Sequence, residues 1–150
     1  MGTRSTIAIE RNDGTVAQVY CHWDGYLSHN GRILQESYKD AAKIEQLIAE
    51  GDVSSLGAEI GVKRPFQNPN KYGTDAYNAF EAQYEGQCLF YARDRGETGT
   101  KARVYKNYTD YRRNAQFEEY NYCFRNGAWE VEFYGEFDGP LTEALEREEA

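Results

Sequence analysis

The sequence predicts a single α+β domain over residues 1–150, an antiparallel sheet of five or six strands with two to four helices packed mainly on one face. Three observations predict it. Apolar and polar residues alternate near both ends of the chain, as half-buried strands require. Two hairpin dipeptides, Asp13-Gly14 and Asn126-Gly127, connect such runs. Between them, apolar residues recur at helical spacing beside residues suited to capping helix ends.

Thr3 to Arg11 places Ser5, Ile7 and Ile9 on one side and Thr6, Ala8 and Glu10 on the other. Asn12-Asp13-Gly14 supplies a turn, and Val16 to Trp23 returns with Val19, Cys21 and Trp23 on one face and Tyr20 and His22 on the other. A loop then runs through Asn30-Gly31. Arg32 to Lys39 and Ala41 to Glu50 read as helices, the second with Asp40 as N-cap and Gly51 as stop. Asp52 to Gly57 reads as a tight turn. Pro65 and Pro69 lie within 61–73, which reads as a mobile loop, and a helix capped by Thr74 or Asp75 extends to Glu85. From Gln87 the alternation of Cys88, Phe90 and Ala92 with Leu89, Tyr91 and Arg93 reads as a strand, followed by another over Lys101 to Asn107. Glu118 to Phe124 and Trp129 to Tyr134 flank Asn126-Gly127, the strongest hairpin signal in the chain. Thr142 to Glu149 closes it as an acidic helix.

Charge is distributed unevenly. The chain carries 25 acidic and 17 basic residues, a net charge of -8, and the whole excess falls after Gln116. Ten carboxylates lie in 117–150 against two arginines, whereas 93–113 carries seven basic residues against three acids. Two arrangements satisfy this pattern: neighbouring strands pairing opposite charges, or a separate acidic face that repels nucleic acid and steers basic proteins toward it. On the second, Glu136, Asp138, Glu143, Glu146, Glu148 and Glu149 are candidate partner-binding residues, and direct nucleic-acid binding is not expected. No run approaches the roughly 18–20 apolar residues of a membrane helix, and the first residues lack the apolar core of a secretory leader. A cytoplasmic protein without a membrane partner is therefore expected. Cys21, Cys88 and Cys123 show no paired spacing, which speaks against disulfides and a cysteine zinc site.

Candidate chemistry is sparse. Phosphate-loop, dinucleotide, nucleophile-elbow and zinc-protease motifs are absent. His22 and Asp24, two apart on a strand, would share a face, and a carboxylate there would orient the imidazole, with Tyr26 just beyond. Adding His29 gives three potential metal ligands, but the spacing matches no established zinc pattern, and no metal or cofactor is expected. Arg93 and Arg95, two apart at a strand end, would present two guanidinium forks to a phosphate or carboxylate.

Thr3-Arg4-Ser5-Thr6-Ile7, Tyr20-Cys21-His22-Trp23-Asp24-Gly25-Tyr26, Gly51-Asp52-Val53-Ser54-Ser55-Leu56-Gly57, Tyr91-Ala92-Arg93-Asp94-Arg95-Gly96-Glu97 and Asn126-Gly127-Ala128-Trp129 together resemble a family of small proteins encoded by bacteriophages and prophages. The segment from Lys63 to Glu85 has no part in the resemblance. It transfers no catalytic residue. It implies an accessory protein in the host bacterial cytoplasm that binds and inhibits a host protein, such as a basic or nucleic-acid-binding defence component. The expected function is therefore binding through an acidic, tyrosine-rich surface. The alternatives are a binder of a phosphate-bearing nucleotide through Arg93 and Arg95, and a small enzyme built on His22 and Asp24.

Overall fold

Ser5–Glu10 (β1) and Val16–Cys21 (β2) form the expected hairpin, in register from Ser5 opposite Cys21 to Glu10 opposite Val16. The Asp13 carboxylate closes its turn by accepting from the Thr15 N–H and hydroxyl. The computed structural model describes residues 2–149, the side chain of Glu149 excepted. Leu27–Gly31, expected as loop, makes a π-helical turn that continues unbroken into α1 (Arg32–Ser37). Buried Asn30 ties that turn to the sheet, donating Nδ2–H to Ser5 Oγ (3.3 Å) and to the Trp23 carbonyl (3.4 Å). In α2 (Ala41–Ala49) the Asp40 carboxylate accepts from the Lys43 N–H, and Ile44, Leu47 and Ile48 face the core. The remaining elements are β3 (Val53–Ser55), α3 (Asp75–Gln83), β4 (Leu89–Phe90), α4 (Tyr91–Arg95), β5 (Arg103–Tyr105), α5 (Tyr108–Asn114), β6 (Tyr120–Arg125), β7 (Ala128–Phe133), β8 (Phe137–Pro140) and α6 (Leu141–Glu149).

The sheet corrects the expected fold class. It has eight strands rather than five or six, it is mixed rather than antiparallel, and six α-helices accompany it among the described residues. Its order is β4-β3-β2-β1-β6-β7-β8, with β5 also pairing β2. The mixed character comes from β1, which runs parallel to β6 from Ser5 opposite Tyr120 to Ile9 opposite Phe124, and from a single parallel pair joining Cys21 to Val53. Burial explains why β1 is central. Thr6, Ile7, Ala8 and Ile9 are all buried, so both faces of this strand are covered, a pattern that suits an interior parallel pairing better than an edge.

Helices lie on both faces. Ile7, Ile9, Val19, Tyr122, Phe124 and Trp129 meet Leu34 of α1, Ile44 and Leu47 of α2, and Leu141 and Leu145 of α6 in the main core. On the opposite face Tyr111 of α5 covers Ala8, Val16 and Cys123. α5 starts at Asn107, whose side chain accepts from the Asp110 N–H while Asp110 accepts from the Lys106 N–H, two otherwise unpaired donors satisfied reciprocally. Residues 61–73 contain no helix or strand, and α3 buries none of its residues. Among the described residues no helix is long and apolar enough to cross a membrane.

Candidate functional site

The first candidate pair does not form. His22 follows β2 and hydrogen-bonds through Nδ1 to the Tyr20 hydroxyl (2.8 Å), two residues earlier on the same face. Its carbonyl accepts from Arg4 Nη1 (3.1 Å) and its ring meets Trp23 edge-on. Asp24 instead adopts a left-handed backbone with φ of 59°, so the alternation that would put its carboxylate beside the imidazole ends one residue earlier. Gly25 is then pressed against Ser5, where an added Cβ would lie 2.6 Å from the serine Cβ. Tyr26 opens the π-helical turn with its ring tilted against His29. Among the described residues no group of three or more His, Cys, Asp or Glu side chains could hold a metal.

Burial, helped by the Arg4 cation, lowers the His22 pKa below its ordinary value. The fold therefore favours the neutral ring. This contribution to stability is complete above the unfolded value, near pH 6.5, and is lost as pH falls through the folded one. The His22 resonance is expected to titrate below that of a denatured control, and His22→Gln is expected to flatten part of the stability loss between about pH 7 and pH 5. Melting curves across that range check it; an unchanged acid limb in the variant would count against this role.

Arg93 and Arg95 are also separated in purpose. Their segment is α4 rather than strand, because the Asp94 carboxylate reaches back to accept from the Phe90 N–H (2.8 Å) and holds the first helical turn. Arg93 turns inward, with its side chain only 10% exposed. It donates to the carbonyls of Ile60 (3.0 Å), Gly61 (3.3 Å) and Cys88 (3.1 Å) and to Asp94 (2.9 Å). Arg95 remains outside, paired with Glu97 and lying over the rings of Phe66 and Tyr91. The two guanidinium groups do not form one fork.

The acidic block stays largely outward. Glu136, Asp138, Glu143, Glu146 and Glu148 are all exposed, and the side chain of Glu149 lies outside the described residues. Of the basic residues in 93–113, among the described residues only Arg112 reaches an acid in 117–150, Asp138 at 2.7 Å; Glu143 pairs with Arg147 of its own helix. Glu136 and Glu148 do come together. They border a shallow depression of about 350 Å³ whose floor is Tyr120, Phe133 and Phe137. Phe133 stacks on Phe137 at 5.6 Å and meets Tyr120 at 5.0 Å. Tyr134, 57% exposed, leans on Tyr120 and donates its hydroxyl hydrogen to Glu119 (3.1 Å). Burial, then the carboxylates of Glu148, Glu119 and Glu136, push the Tyr120 phenol up, a measure of how acidic its surroundings are.

A second concavity, lined by Thr6, Gln18, Tyr20, Asp52, Arg103 and Glu118, occupies the other face of the sheet. Sequence reasoning missed it, since only the first three share a hairpin. The cysteines take no part in either site: burial pushes the Cys21 and Cys123 thiols up to about 12 and raises Cys88 as well. Comparison with protein-family models, with curated proteins and with solved structures found no match.

Proposed function

We propose that the protein is a binding protein that captures a basic partner protein on the depression between β7, β8 and α6. The observation that carries this reading is the aromatic floor of Tyr120, Phe133 and Phe137 bordered by Glu136 and Glu148, with Glu119 and Tyr134 beside it. Aromatic rings supply contact area at low entropic cost, and carboxylates around them attract cations and speed encounter. Arg147 lies over Phe137, so a partner's lysine or arginine would compete with an existing cation–π contact of the same kind. Occupying a basic surface blocks whatever else binds there, which suffices for the inhibitory accessory role that the sequence resemblance implies.

Glu136→Lys combined with Glu148→Lys is expected to leave stability nearly unchanged and to slow association with a captured partner at least about tenfold at low salt. Stopped-flow association measured against ionic strength checks both points. Equal rates and equal salt slopes for the two proteins would end this proposal. The phosphate-binding reading gains no comparable support, because Arg93 already serves three carbonyls and a carboxylate.

A further inference from the structure

The concavity on the opposite face has a volume of about 340 Å³, room for several water molecules at roughly 30 Å³ each. Its polar groups are not equally occupied. Asp52 and Arg103 close on each other in a two-pronged pair, Nη1 to Oδ1 at 2.6 Å and Nη2 to Oδ2 at 3.0 Å, while Asp52 Oδ1 also accepts from the Tyr20 N–H. That pair neutralises itself. Gln18 lines the cavity, is only 3% exposed and donates Nε2–H to the Gln116 carbonyl, but its Oε1 accepts from no described residue.

Glu118 is held in place without its carboxylate being used. The Asn121 side chain accepts from the Glu118 N–H (2.8 Å) and donates to the Glu118 carbonyl (2.8 Å), and it is itself fixed by Thr6 Oγ1 (2.9 Å) and Glu132 (2.9 Å). The Glu118 carboxylate has no hydrogen bond or ion pair among the described residues. The other nearby cation, Arg4, is engaged elsewhere, over the Trp23 ring and on the His22 carbonyl. What the cavity offers is thus a pair of unfilled acceptors, one charged, beside the Tyr20 ring, within a protein of net charge -8.

We propose that this cavity binds one organic cation, a guanidinium or ammonium group, between the Glu118 carboxylate and Gln18 Oε1 with the Tyr20 ring as a wall. A donor-only head satisfies both acceptors, and the ring face adds a cation–π contact. An anion would meet the Glu118 charge and leave Gln18 Oε1 unpaired. The site lies across the sheet from the aromatic depression and does not depend on it.

The test is a nuclear magnetic resonance titration of the full chain with methylguanidinium, with methyl phosphate at matched ionic strength as control. Methylguanidinium is expected to cause saturable shifts at the amides of Gln18, Tyr20 and Glu118, and Glu118→Gln to weaken binding at least about tenfold, as loss of a charge-assisted hydrogen bond implies. Gln18→Met, which keeps the volume and removes the acceptor, should act in the same direction. Should that buried change fail to fold, the half-exposed Glu118 variant still decides. A blocked arginine binding more tightly than methylguanidinium would identify a polypeptide side chain as the ligand, and equal or weaker binding a small free amine; either supports a cation site. Shifts that never saturate, that persist unchanged in Glu118→Gln, or that methyl phosphate reproduces would overturn it.

Discussion

Arg93→Ala is expected to destabilise the protein by about 3 kcal/mol and to loosen the segment from Gly57 to Glu97 ahead of the rest. The magnitude follows from what the side chain leaves behind. Asp94 has a fully buried side chain, and without Arg93 it keeps the N–H groups of Arg64 and Phe90 but loses its only ion-pair partner among the described residues. Breaking one side of a buried pair costs roughly 3–5 kcal/mol, and those two remaining donors place this case at the lower end. The carbonyls of Ile60, Gly61 and Cys88 lose their donor at the same time. Lysine should rescue little, since one ammonium cannot span positions that a planar fork reaches. Urea unfolding gives the global figure, and hydrogen exchange shows where opening begins. A change within about 0.5 kcal/mol, ordinary for a surface site, would mean that the clamp is not structural and would return Arg93 to the ligand candidates.

Trp129→Ala is expected to cost about 3–5 kcal/mol, the usual penalty for deleting a large aromatic from a packed core. Trp129 sits on β7 against Phe124, and its Nε1–H donates to the Tyr38 carbonyl (2.9 Å), the residue that ends α1. It therefore joins the sheet to the helical layer. Trp129→Phe separates the two contributions: it keeps most of the volume and strands the buried carbonyl, for a loss of about 1–3 kcal/mol. Denaturation midpoints of the two variants decide the matter. Equal losses would mean that the hydrogen bond, rather than the ring, does most of the joining.

What was legible in the chain was local. Asn126 and Gly127 adopt φ of 53° and 79°, the two positive values that the hairpin dipeptide predicts, and Asp40 and Thr74 cap their helices as their side-chain chemistry requires. The errors have one origin. Tyr91 to Arg93 alternate like a strand, but Asp94 bonding back to the Phe90 N–H favours a helical turn, and Arg93 is drawn inward by carbonyls some 30 residues earlier. β8 was missed because its four residues have little pattern of their own and pair only once β7 is present. At the aromatic depression, Tyr120 and Phe133 lie on the two strands that flank Asn126-Gly127, and Glu136 and Glu148 belong to the acidic block that charge counting singles out. Their convergence on one spot depends on how α6 crosses β8, which no local signal encodes. The cavity around Gln18 is less legible still, because Asp52, Arg103 and Glu118 each come from a different strand neighbourhood.

The parallel pairing of β1 with β6 cannot form until β6 has been synthesised. Thr6 and Asn121, joined by a side-chain hydrogen bond, are 115 residues apart. A ribosome adding roughly 5–20 residues per second needs several seconds to deliver the second after the first, whereas a hairpin such as β1–β2 closes in about 1–10 μs. The nascent chain thus carries one finished ribbon with a bare hydrogen-bonding flank until β6 has been made. In that interval the flank is open to chaperones and to stray strands, a hazard that the completed protein no longer has.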